Sequence, residues 1–255
     1  MHRYATAQHT GLRDAQCDAT AVYTSPNGRA YVLLDGIGSS RAVREWTRAA
    51  ARRLARAAAR RGNAETGLRA VYERYAAAPE RQDPYLRRYQ PGAAAVVAVI
   101  TPDNTLHVAW CGDSRAYLLT RGQAHRLTED HNLRRVFPPT ALHPYSGNRN
   151  VITSYLGAAE SDAEVKARYG HAAVETASIR LDRPCRLLLA SDGAYEPHED
   201  AGRCLYAEVG QDDPRSVVRE FVDLAVETST VASTAVDPAR PHADNATALL
   251  ADIPA

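Results

Sequence analysis

Lysine is nearly missing from this 255-residue chain: Lys166 stands alone among 31 basic residues, and all the others are arginine. Together with abundant alanine, that bias reads as the codon habit of a GC-rich genome and not as a binding function. An excess of either charge is lacking too, since 30 acidic residues leave a formal net charge of +1. Nucleic acid and anionic membrane are therefore not expected as standing partners. No apolar run approaches the ~18–20 residues needed to cross a bilayer. The start, MHRYATAQHT, lacks the basic-then-apolar layout of a secretory leader. Cys17, Cys111, Cys185 and Cys204 are scattered without a C-x-x-C pair, which disfavours both zinc and a disulfide framework. A reducing cytoplasm is the expected setting. What is present is an ordinary mixture, 45% hydrophobic and 24% charged, sufficient for a sizeable core.

Periodicity divides the chain into short strands and a few helices. Thr20–Thr24 and Ala30–Leu34 are β-prone and flank the turn Ser25-Pro26-Asn27-Gly28. Val43, Trp46, Ala50, Leu54 and Ala57/Ala58 then recur at helical spacing behind a Ser39/Ser40 cap, predicting a helix over 40–61 whose arginines form a solvated face. A second amphipathic helix is expected over 65–78. From Ala93 to Leu127, apolar runs alternate with two- to four-residue turns, the pattern of an antiparallel meander. Residues 128–157 keep no period and read as a long functional loop. Asp213-Pro214 opens a helix over 214–227, 228–243 reads as a mobile loop, and Thr247–Ile253 as a last strand. The whole, residues 1–255, is expected to be one α+β domain.

In three places an apolar strand meets an aspartate: Leu34-Asp35-Gly36, Ala190-Ser191-Asp192-Gly193, and Asp244-Asn245 before the last strand. A carboxylate at the mouth of a sheet is held firmly. A following glycine lets the backbone turn and lets a cation approach a carbonyl oxygen. Several such groups together would make an all-oxygen site suited to Mg²⁺ or Mn²⁺. Each taken alone reads better as a capped turn, and spacing does not prove that they converge.

The ordered motifs resemble the metal-dependent protein phosphatase family, protein phosphatase 2C. They are Arg13-Asp14-Ala15-Gln16-Cys17-Asp18, Asp35-Gly36-Ile37-Gly38, Gly92-Ala93-Ala94-Ala95 and Gly112-Asp113-Ser114-Arg115. Leu127-Thr128-Glu129-Asp130-His131, Arg149-Asn150-Val151-Ile152-Thr153, Ser191-Asp192-Gly193 and Asp244-Asn245 complete the series. The resemblance implies a sandwich of two antiparallel β-sheets with helices outside each, four layers in all. It implies hydrolysis of phosphoserine and phosphothreonine by a water activated between two divalent ions, Mn²⁺ or Mg²⁺. Asp35 would bridge the two ions, with the Gly36 carbonyl on the first and Asp192 and Asp244 on the second. Asp18 would orient waters on the ions, Asp113 would serve a third ion with Asp192, and Arg13 would grip the phosphate. Phosphorylated proteins made by bacterial Ser/Thr kinases would be the partners of a monomer.

Departures from the family pattern are local. Cys17 stands where an acid or amide is usual, and a thiol is a poor partner for hard cations. It reads as an inert buried cysteine, with a redox-sensitive thiol as the alternative. Ile37 replaces a histidine found in some relatives, and the flap over 131–157 is short. His131 reads either as the base of that flap or as a surface histidine, while Trp46, Tyr72 and Tyr75 read as core. A pseudophosphatase that binds phosphoproteins without turnover, and a phosphatase dedicated to one regulator, are the alternative functions.

Overall fold

Ala93–Ile100 is buried at every position, the mark of a strand covered on both faces. The computed structural model, which describes residues 3–254, shows what covers it. In chain order the elements are β1 (Tyr4–His9), β2 (Ala19–Ser25), β3 (Gly28–Gly36), α1 (Arg41–Arg61), α2 (Ala64–Ala76), α3 (Pro79–Gln82), β4 (Ala93–Ile100) and β5 (Thr105–Cys111). There follow β6 (Arg115–Thr120), β7 (Gln123–Arg126), α4 (Leu133–Val136), α5 (Asp162–Tyr169), β8 (Glu175–Arg180) and β9 (Cys185–Ala190). The last are α6 (Asp192–Asp200), α7 (Leu205–Val209), α8 (Pro214–Val236) and β10 (Ala246–Ile253). They build two five-stranded antiparallel sheets, ordered β1-β10-β9-β6-β7 and β2-β3-β4-β5-β8.

Side-chain alternation along the strands sorts the core into three layers. On β3, Tyr31 and Leu33 point between the sheets, where they meet Val96, Leu106, Leu187, Leu189 and Leu249. Val32 and Leu34 point the other way, against Leu54, Ala58 and Leu68 of α1 and α2. On the far side, Leu188 and Leu250 face Phe221, Val222 and Tyr195 of α8 and α6. This is the four-layer arrangement expected from the sequence. Truncating one of the fully buried leucines between the sheets, such as Leu189, is expected to destabilise by about 2–5 kcal/mol.

α1 begins at Ser40, whose side chain accepts from the Val43 amide, and stops at left-handed Gly62. Its small apolar residues let it lie close on the sheet, and the Trp46 and Tyr75 rings meet at a 49° tilt with centroids 4.9 Å apart. Several expectations need correction. The stretch 228–243 is not all loop, because α8 continues to Val236. Tyr4–His9, Asp162–Tyr169 and the helix α6 that begins at Asp192 are elements that periodicity passed over. His131 is fully buried, stacked on His171 at 4.2 Å and bonded to Glu175, so it is not a surface histidine. Among the described residues no helix is long and apolar enough to cross a membrane.

Candidate active site

Antiparallel pairing puts the end of one strand beside the start of its neighbour, and this brings the aspartates together. Leu34 of β3 pairs with Ala19 of β2, so Asp35 and Asp18 lie side by side at one sheet's edge. Asp35 in turn pairs with Ala94, and Ala95 with Cys111, which carries Asp113 to the same edge. In the other sheet Ala190 of β9 pairs with Ala248 of β10, so Asp192 lies beside Asp244. The Ser191 amide donates to the Thr247 carbonyl, and the Thr247 amide to Ser191 Oγ, clamping the two ends.

Two glycines allow the close approach. A Cβ on Gly193 would sit 2.2 Å from the Asn245 carbonyl oxygen, and one on Gly36 would sit 2.5 Å from the Cys17 carbonyl oxygen. Either residue with a side chain would push these turns apart. Asn245 then ties the sheets' edges: its Oδ1 accepts from the Cys17 amide at 2.7 Å and its Nδ2 donates to the Thr10 carbonyl at 2.9 Å.

The electrostatics follow from crowding acids in a poorly solvated place. Burial, reinforced by Asp192 and Asp244, pushes Asp18 up to about 7. Burial and then the charges of Asp18, Asp192 and Asp113 hold Asp35 well above the carboxylate range. Asp113 is raised by burial and by Asp192, and Asp192 by burial and by Asp244. Both carboxylate oxygens of Asp18 and Oδ1 of Asp113 are buried without a hydrogen-bond partner. Such groups cost free energy unless something positive meets them.

Other oxygens are engaged. Arg13 Nη2 donates to Asp244 Oδ2 at 2.6 Å, so the two residues assigned to phosphate and to an ion are paired with each other. Oδ1 of Asp192 and of Asp244 each accept from the next residue's amide, at 2.6 and 2.7 Å. Among the described residues no three Asp, Glu, His or Cys side chains close on one point as a finished ion cage. Hard divalent ions need few protein ligands because they keep several waters. The unpartnered oxygens and the all-oxygen donor set suit such ions.

Arg13, Asp35, Asp113, Asp192 and Asp244 line a groove of about 760 Å³ whose other wall is Ile37, Ile152 and the α8 tail residues Ser229, Ala232, Ser233 and Val236. The sequence reading missed that wall, because a run of Ser and Thr gave no helical signal. It also left Arg149 without a role. Arg149 forks onto Asp200 at 2.9 and 2.7 Å and reaches Glu196 at 3.1 Å, fastening the loop after α4 to the helix that starts at Asp192. Glu196 is pushed up to about 7 by burial and by Asp192. Cys17 is fully buried, as expected, and burial, followed by Asp18, raises its thiol.

The sequence profile described as "Protein phosphatase 2C" matches residues 11–135. The mouse "Probable protein phosphatase 1N" is 28% identical over 200 residues, covering 72% of this chain and 50% of its own. PppA, a key regulatory component of T6SS in Pseudomonas aeruginosa, superposes with a TM-score of 0.70 at 25% identity, covering 98% of this chain and 96% of that one. Over residues 11–135 the chain carries a protein phosphatase 2C domain match. The S. agalactiae serine/threonine phosphatase, at 17% identity and TM-score 0.74, has the same fold across 98% of this chain and 99% of its own. The chain spans about half the length of the mouse relative. The profile match ends before Asp192 and Asp244; β9 and β10, paired with each other, are joined to the part it covers through the pairing of β9 with β6.

Proposed function

We propose that this chain hydrolyses phosphoserine and phosphothreonine on proteins, using Mn²⁺ or Mg²⁺. The observation that carries the reading is the meeting of Asp35, Asp113, Asp192 and Asp244 beside Arg13 in one open groove, with Asp18 buried next to them. Asp35, Asp192, Asp244 and the Gly36 carbonyl would hold two ions, Asp18 would stand behind them, and Asp113 with Asp192 would take a third. When bound, such ions activate water and offset the charge on phosphate oxygens.

The chain's own residues do the rest. Arg13 is exposed enough to leave Asp244 and fork onto two phosphate oxygens, a geometry a lysine lacks. Its departure frees an Asp244 oxygen. Asp18, buried behind Asp35, holds or releases a proton near neutral pH according to the charge in front of it. Ile37, Ile152 and the α8 tail keep the groove's far wall partly apolar, which suits a peptide backbone flanking the phosphorylated residue. Phosphoproteins made by serine/threonine kinases are the proposed substrates, in line with the regulatory role named for PppA.

Hydrolysis of p-nitrophenyl phosphate with Mn²⁺, with Mg²⁺ and with a chelator tests this for wild type and Asp192→Ala. Metal-dependent turnover that disappears in the variant supports the reading. Folded wild type without turnover under any divalent ion would instead point to a phosphoprotein binder that performs no chemistry.

A further inference from the structure

The exposed face of α1 carries eight arginines against one acid, Glu45. The helix therefore holds a charge of +7 in a chain whose total is +1, which leaves −6 on everything else. An arginine-rich genome explains why these residues are not lysine. It does not explain why they gather here, since α8, longer by two residues, bears Arg215 and Arg219 against Glu220, Asp223 and Glu227.

Arg44, Arg48, Arg52, Arg56 and Arg60 follow one another at i,i+4, a row slanting across the outer face over about 24 Å. All five are exposed. Arg56 rests over the Tyr23 ring at 5.7 Å, while the guanidinium groups of the other four have no hydrogen-bond or ion-pair partner among the described residues. Like charges at this spacing each work against the helix by about 0.2–0.5 kcal/mol, so the arrangement opposes stability. Between the arginines runs a shallow trough with Ala49 and Ala57 on its floor and Arg52, Arg53, Arg56 and Arg60 along its sides.

The row starts at the active site. Cys17 Sγ lies 3.7 Å from the Ser40 carbonyl at the head of α1, and the Gly36 turn packs on Val43 and Thr47 of its first turns. Ile37 and Gly38, which lead into the helix, line the catalytic groove itself. A chain lying in the groove can thus pass directly onto the arginine row, where about seven extended residues would cover it.

We propose that α1 is a docking track for an acidic segment of the phosphoprotein substrate, contiguous with the residue being dephosphorylated. This rests on the phosphatase reading above and names its substrate class. A polypeptide fits better than the other polyanions. A membrane plane or a duplex would meet the negative remainder of the surface as well as the row, whereas a single extended chain meets only the trough. The row also offers no exposed large apolar side chain to enter a bilayer.

The test uses two phosphopeptides with one core, one extended by six acidic residues on either side and one by six neutral residues. Wild type should show KM for the acidic peptide lower by on the order of tenfold at low salt, with the advantage fading as salt screens it. Arg48→Glu/Arg52→Glu should lose that advantage and keep wild-type turnover of p-nitrophenyl phosphate. Equal KM for the two peptides, or an undiminished advantage in the variant, overturns the proposal. So does a variant that loses p-nitrophenyl phosphate turnover as well. Anisotropy of a labelled acidic peptide lacking phosphate reads docking without chemistry. A wild type with no turnover therefore sinks the phosphatase reading, while peptide binding still decides the track. Tighter retention on phosphatidylserine vesicles or duplex DNA than on the acidic peptide also overturns it.

Discussion

A methyl group at position 193 would lie 2.2 Å from the Asn245 carbonyl oxygen, with the Asp244 Cβ 3.3 Å away. Gly193→Ala must therefore move either the Asp192 turn or the Asp244 turn. Backbone on both sides leaves no flexible side chain to give way, so a loss of about 1–3 kcal/mol is expected, together with most of the turnover. A urea titration beside a p-nitrophenyl phosphate assay checks both. A variant with wild-type stability and activity would mean that the two turns are not held against each other. At this scale the sequence marks the aspartates as strand-end groups and names them through the motif series. It does not say that Asp18 and Asp35 are neighbours, because that depends on the β2–β3 register. Nor does it reveal the Arg13–Asp244 pair, whose members are 231 positions apart.

Helix α8 shows how a tertiary bond overrides local preference. Its last turns, from Thr228 to Val236, are mostly Ser, Thr and Ala, and β-branched or hydroxyl side chains are mediocre helix formers. Two of the hydroxyls fold back on the helix, Thr230 onto the Val226 carbonyl and Thr234 onto the Thr230 carbonyl, both at 2.7 Å. Ser233 works outward: its Oγ donates to the His242 carbonyl at 2.7 Å and accepts from the His242 amide at 2.8 Å. That pair of bonds pins the loop that presents Asp244. Period and capping gave the start of α8 at Asp213-Pro214 correctly, since both are local signals. Its end was illegible because it depends on a partner nine residues away. Ser233→Ala is expected to lower stability by about 1 kcal/mol and, more tellingly, to speed amide exchange over 229–243 while α1 keeps its protection. Exchange unchanged in that stretch would show that the hydroxyl does not hold the loop.

Across the whole molecule, the two sheets stack so that each delivers its acidic edge to the same place, and without cations this opposes folding. Asp18, with an ordinary value of 3.8, is pushed up to about 7 in the folded chain. Between those two values the native state keeps a proton that the unfolded chain has lost. Stability therefore falls as pH rises through the window, by up to about 1.4 kcal/mol per pH unit for one such group. Asp35, Asp113 and Asp192, also raised, act in the same direction. Buried His131 and His198 are lowered by desolvation and act oppositely below about 6.5, but Asp18→Asn leaves them in place. Comparing the two proteins in chelator from pH 5.5 to 8 thus isolates the aspartate: the variant should show a shallower decline and be the more stable one at pH 8. Divalent ions bind the ionised carboxylates and compete with protons, so Mn²⁺ should raise the wild-type urea midpoint more at pH 8 than at 5.5. It should do little for Asp192→Ala at either pH. If chelated wild type instead gained stability over Asp18→Asn towards pH 8, the acids would already be compensated by the protein itself, and the case for cations meeting them would fail.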